Sequence, residues 1–214
     1  ANTTGASNTA LGRNSLTDNT TASNNTAVGF QSLLSNTTGT QNTSVGAYSL
    51  DANTTGNYNT ALGYNALTAN TTAERNTALG QSALSTNTTG SYNTGLGQNA
   101  LGANTTGANN VAIGYNTLDA NSTADHNTAV GQNALSANTT GAENTAVGSA
   151  SLASATTASY NVAVGRVALA ENTTGAQNVA VGYAAVRMTT TATYCTGIGY
   201  NALNANTTGI MNTA

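Results

Sequence analysis

Aliphatic, small and amide side chains return along this chain at one fixed spacing. From Asn8, an aliphatic residue stands at Leu11, a glycine follows at Gly12, and a second aliphatic residue comes at Leu16. The same order restarts at Asn25, Asn42, Asn59, Asn76, Asn93, Asn110, Asn127, Asn144, Asn161, Asn178 and Cys195, always 17 residues on. Twelve units cover 8–211 without an insertion or deletion. Residues 1–7 read as the end of a preceding unit, and 212–214 as the start of the next. The consensus is Asn-Thr-Ala-Val-Gly-Tyr-Asn-Ala-Leu-x-Ala-Asn-Thr-Thr-Gly-x-Tyr, numbered as positions 1–17.

A period this short excludes helix-pair repeats, whose units exceed about 30 residues. Asn, Thr and Gly are poor helix formers, and their order has no 3.6 period. Thr and Val suit short strands, so the pattern predicts strands at positions 2–4, about 7–9, and 12–14. Position 5 is glycine in every unit: Gly12, Gly29, Gly46, Gly63, Gly80, Gly97, Gly114, Gly131, Gly148, Gly165, Gly182 and Gly199. These are read as structural turn glycines, at a corner that needs positive φ or close backbone approach. Position 15 is Gly or Ala, as at Ala22 and Ala73, so it requires smallness rather than a left-handed backbone. Stacked coils place like residues above one another. The aliphatics of positions 4 and 9 are expected to form a narrow core, and the Asn of positions 1 and 12 to form side-chain ladders. The predicted fold is an all-β solenoid, a β-roll or β-helix of twelve 17-residue coils, in a single array over 1–214. More array or other domains are expected beyond both ends, because solenoid ends need caps.

Composition narrows the alternatives. Net charge is −3, charged residues are 5%, and Pro and Trp are absent. Low aliphatic content signals disorder when joined to high charge, but a disordered tract has no reason to hold a 17-residue register. Four arginines and no lysine give no basic stripe, so nucleic acid is not an expected partner. No apolar run is long enough to span a membrane as a helix. One cysteine, Cys195, precludes an intrachain disulfide framework. No catalytic, cofactor-binding or metal-binding constellation stands out, so neither an enzyme nor a cofactor is expected.

Self-association is expected on energetic grounds. A coil has only two large aliphatics to bury against the conformational entropy of its whole ordered backbone. The strictly small positions 3 and 8 have two readings. They face outward where another chain packs closely, or they sit inside a tight corner.

The string Asn59-Thr60-Ala61-Leu62-Gly63-Tyr64-Asn65-Ala66-Leu67, continued by Asn70-Thr71-Thr72, resembles repeats of bacteriophage and bacterial tail-fibre-domain proteins. Residues 127–141 are as close. The Asn-Thr-Ala-Val-Gly core is also similar to head repeats of trimeric autotransporter adhesins, whose unit is shorter. The resemblance covers essentially the whole chain. It implies an elongated homotrimer, extracellular on a virion tail fibre or a bacterial surface, that spaces or presents an adhesive tip.

Individual polar residues add little chemistry. Asp18, Asp51, Glu74, Asp119, Asp125, Glu143 and Glu171 fall at variable positions and read as solvated surface. His126 has no second histidine with which to share a metal. Cys195 replaces Asn at position 1 and reads as a small residue in a ladder. Asn-Thr-Thr recurs as a glycosylation sequon, from Asn2 to Asn206, but reads first as a structural ladder. Aromatics gather at two positions: Tyr64, Tyr115, Tyr183, Tyr200 and Phe30 at position 6, and Tyr58, Tyr92, Tyr160 and Tyr194 at position 17. The tyrosines form a candidate glycan-contact stripe, since a flat ring with a hydroxyl suits sugar stacking. The leading functional expectation is a fibre shaft or stalk. The alternatives are a module binding host surface polysaccharide through Tyr and Asn, and an ice-binding solenoid.

Overall fold

The computed structural model describes residues 2–214. The chain divides into two compact units, Ala1–Ala108 and Asn109–Ala214. Each is a parallel β-solenoid with a 17-residue coil, and the described residues contain no helix. The first unit holds β1 (Thr9–Leu11), β2 (Thr26–Val28), β3 (Thr43–Val45), β4 (Thr60–Leu62), β5 (Thr77–Leu79) and β6 (Thr94–Leu96). The second holds β7 (Val111–Ile113), β8 (Thr128–Val130), β9 (Thr145–Val147), β10 (Val162–Val164), β11 (Val179–Val181) and β12 (Thr196–Ile198). Within each unit successive strands pair in parallel, position for position, as in Thr60 opposite Thr77 and Val162 opposite Val179.

Only positions 2–4 are strand; the strands expected at 7–9 and 12–14 do not form. Residues at positions 7, 9 and 17 adopt left-handed backbone, for example Asn65 (φ 55°), Leu67 (φ 52°) and Tyr58 (φ 60°). Left-handed conformation costs an L-residue about 1–2 kcal/mol, and what holds it is the neighbouring coil. Ladder hydrogen bonds continue through the corners. The Asn65 N–H donates to Ala47 O at 3.1 Å, Leu67 N–H to Ala83 O at 3.0 Å, and Thr71 N–H to Thr88 O at 3.1 Å. The backbone is thus paired around the coil although little of it is extended.

The position 5 glycines combine both expected demands. Their φ lies between 128° and 140°, and a Cβ on Gly63 would stand 2.5 Å from the carbonyl oxygen of Gly80. Position 15 differs, as expected: Gly39 has no left-handed φ, but a Cβ there would meet Gly56 O at 2.4 Å. The alanines at this position, such as Ala22 and Ala73, are buried within the coil, so the neighbouring coil must give way locally around the methyl group.

The interior corrects the expected core. Position 9 is buried throughout the inner coils, as Leu33, Leu50, Leu67, Leu84 and Leu101 in the first unit and Leu118, Leu135, Leu152, Leu169 and Val186 in the second. Each such side chain contributes about 1.5–3 kcal/mol by burial. Position 4 is not part of this core. Its neighbour at position 3 points inward instead: Ala27, Ala61, Ala78, Ala112 and Ala129 are 0% exposed. Space sets that phase. At Gly95, in position 3, an added Cβ would already lie 3.1 Å from Ala100 O and 3.4 Å from Leu84 Cγ. A methyl group fits beside the leucine column and a branched side chain does not. Position 8 is also inside, as at Ala66 and Ala83, so the tight-corner reading of positions 3 and 8 holds. Three of the serines that replace these alanines bond to one another: Ser32 Oγ donates to Ser44 Oγ at 2.8 Å, and Ser44 Oγ lies 2.5 Å from Ser49 Oγ.

The two Asn columns complete the interior and bond differently. At position 12 amide meets amide across coils: Asn53 Nδ2 donates to Asn36 Oδ1 and Asn70 Nδ2 to Asn53 Oδ1, both at 2.8 Å. At position 1 the side-chain oxygen accepts the next coil's backbone N–H, as when Asn59 N donates to Asn42 Oδ1 at 2.9 Å. Both columns send Nδ2 to the carbonyl of position 15; Asn25 and Asn36 each reach Gly39 O at 2.9 Å. This shared acceptor binds the start of the coil to its end.

Candidate interaction face

With positions 1 and 3 turned inward and Gly at 5, alternation along the strand turns positions 17, 2, 4 and 6 outward. Each unit therefore presents four parallel columns. The position 4 column is aliphatic in every coil: Leu11, Val28, Val45, Leu62, Leu79 and Leu96, then Ile113, Val130, Val147, Val164, Val181 and Ile198. These side chains are half-buried or exposed; Leu62 is 47% and Leu79 39% exposed in the middle of their ladder. Beside them position 2 carries Thr or Val. No charged residue occurs at either position. Sequence reasoning missed this face because it placed position 4 inside. The signal lay in the strictly small residue at position 3 between larger neighbours.

All eight candidate tyrosines are exposed, on the columns flanking this face. At position 17, Tyr58 and Tyr92 enclose Arg75, whose guanidinium carbon lies 5.1 and 5.4 Å from their ring centroids. Arg75 also donates to the Tyr92 hydroxyl at 2.7 Å and stands 3.6 Å from Glu74. Tyr160 and Tyr194 belong to the same column in the second unit, with Gln177 between them in sequence. At position 6, Tyr183 and Tyr200 stack at 5.4 Å. Tyr64 packs edge-on against Tyr48 at 6.0 Å, which in turn meets Phe30 at 5.2 Å. Tyr48 escaped the sequence reading because it sits one place later, at position 7. Tyr115 is exposed on the same column.

The remaining polar candidates divide clearly. The Asn of the inner sequons, Asn19 to Asn138 and Asn172, is buried with its amide in the ladder, so the coil itself occupies the group that a glycan would need. Position 13 hydroxyls bond to the next coil, as Thr54 Oγ1 donates to Thr71 O at 3.0 Å, while position 14 threonines face solvent. Cys195 is buried; its N–H donates to Asn178 Oδ1 at 2.9 Å and its thiol to Gly209 O at 3.1 Å. His126 is exposed. Asp119 departs from the solvated reading: its Oδ1 is buried without a hydrogen-bond partner, and desolvation raises its carboxyl above the ordinary carboxylate range, against the lowering effect of backbone hydrogen bonds from Asp119 and Ala120. The described residues enclose no pocket and gather no cluster of three metal-ligating side chains. No family model, curated protein or solved structure matches this chain.

Proposed function

We propose that the chain is a fibre shaft or stalk, built from several copies, that spaces or presents a binding tip outside the cell or on a virion. The supporting observation is the uncharged aliphatic column at position 4, kept in every coil yet left outside the coil's own core. Apolar side chains aligned over many coils on a surface mark a contact with another macromolecule. The interior of each unit supports a mechanical role, because within a unit each coil is tied to the next by backbone ladders and two Asn columns. Three copies is the stoichiometry that the tail-fibre resemblance implies. Light scattering tests this. A β-rich species at three times the 21.1 kDa chain mass is expected. A β-rich monomer at micromolar concentration sinks the assembly and leaves the single-chain solenoid.

A second reading, polysaccharide binding, draws on the exposed tyrosines flanking the face, above all the Tyr183–Tyr200 stack. Its check is tyrosine fluorescence titrated with soluble bacterial surface polysaccharide. Quenching that disappears in a Tyr183→Ala, Tyr200→Ala chain is expected.

A further inference from the structure

We infer that the choice between Thr and Val at position 2 sets the register in which copies of this chain meet, an inference that rests on the multi-copy shaft reading. A face repeating every coil can be matched throughout only by a surface of the same repeat. Coils follow one another at about 4.8 Å, whereas an α-helix repeats at about 5.4 Å and drifts out of phase within a few coils. A second copy of this chain has the required period and carries no charge at positions 2 and 4. Six strands per unit, taken five residues wide, offer about 450–500 Å² per unit. A partner in a stable complex contributes about 800 Å², so one unit alone supplies more than half of that share.

Such a face has a weakness: a shift by one whole coil restores nearly the same surface. Strand registers that no side-chain pattern specifies are prone to slip. Position 2 supplies a pattern that does not repeat. The first unit has Thr at all six places, from Thr9 to Thr94, whereas the second reads Val111, Thr128, Thr145, Val162, Val179, Thr196. In register, each Val meets Val and each Thr meets Thr, which can share a hydrogen bond. A one-coil slip sets Val111 against Thr128, Thr145 against Val162 and Val179 against Thr196. Each such pair buries a hydroxyl against methyl groups, a mismatch that Val and Thr do not tolerate despite their similar shape. A two-coil slip mismatches all four overlapping pairs of the second unit. The valines are placed to act this way: Val162 is 36% exposed, and Val111 and Val179 are partly exposed on the same column. Specificity here comes from penalties on the wrong alignments.

The test uses the full chain with Cys195→Asn, which restores the repeat consensus and removes the native thiol. Chains carrying Thr128→Cys or Thr145→Cys are unfolded, mixed, refolded and oxidised, and their disulfides are read by mass spectrometry. Disulfides joining 128 to 128 and 145 to 145 are expected to dominate over 128 to 145. Adding Val111→Thr, Val162→Thr and Val179→Thr is expected to raise the 128-to-145 product several-fold while leaving the mass by light scattering unchanged. An unchanged disulfide pattern in that triple variant, at unchanged mass, overturns the register role and leaves the shaft reading intact. A monomeric mass for the parent chain overturns both.

Discussion

Each unit carries two columns of aliphatic side chains, at positions 9 and 4, and they answer to different neighbours. Leu84, at position 9, is wholly enclosed by its own coil and the next, close to where Gly95 leaves room. Leu79, at position 4 five residues earlier, is 39% exposed in the midst of its ladder. Both columns are aliphatic in every coil, yet only one is explained by the fold of a single chain. A uniform hydrophobic column in a repeat thus need not be core. The phase of the strand decides, and the size of the residue between the candidates sets the phase.

Substitutions separate the two columns most sharply. Leu84→Ala is expected to lower stability by about 2–5 kcal/mol through lost burial and a cavity, measured as a shift of the urea midpoint. Leu79→Ser should leave the circular dichroism spectrum of the coil intact and instead reduce the mass seen by light scattering. If Leu79→Ser unfolds the chain as Leu84→Ala does, the columns are not distinct. The corner between them is next in size. Gly63→Ala imposes a positive φ on a residue with a side chain, costing about 1–3 kcal/mol before the clash with Gly80 is counted. Hydrogen exchange at the Gly80 amide, which donates to Leu62 O at 2.8 Å, should accelerate.

A smaller effect probes the Asn column against its one alanine. Asn138 Oδ1 is buried without a partner because position 12 of the next coil is Ala155. Ala155→Asn should complete the ladder and raise stability by about 0.5–1.5 kcal/mol, the net worth of one hydrogen bond. Thermal unfolding would detect it, and an unchanged or lower midpoint would mean the slot does not admit the amide. The smallest effect concerns Asp119. Its folded pKa is raised by burial, so the protonated form is favoured in the native state. Its stabilising contribution is therefore present below the ordinary carboxylate range and is lost as pH rises through the folded value. Asp119→Asn should match the parent in acid and exceed it in midpoint at neutral pH; a difference that does not grow with pH would contradict this.

Much of the architecture could be read from residues. The period, the Gly63-type corner, the small position 15 and the Asn columns each follow from a residue type held at one place in every unit. What escaped reading depends on phase and dihedral angle rather than identity. Thr-Ala-Val satisfies strand alternation with either Ala or Val inward, and only the crowding at Gly95 settles it. Leu67 in a left-handed conformation runs against its ordinary preference, so a strand over positions 7–9 was the natural expectation. The face went unrecognised for the same reason as the core was misplaced, while Tyr48 was overlooked because its ring reaches Tyr64 from the adjacent position.

The burial of the position 12 amides also bears on how the chain is best made. Before a coil closes, its Asn-Thr-Thr is an open acceptor for oligosaccharyl transfer; afterwards the acceptor nitrogen is committed to Asn and Gly oxygens inside the coil, as at Asn53. In a eukaryotic secretory host, enzymatic attachment and coil closure would race along the nascent chain. Every sugar added at an inner coil would be a wedge that the finished solenoid has no room to hold, so a bacterial cytosol is the more forgiving place to produce it.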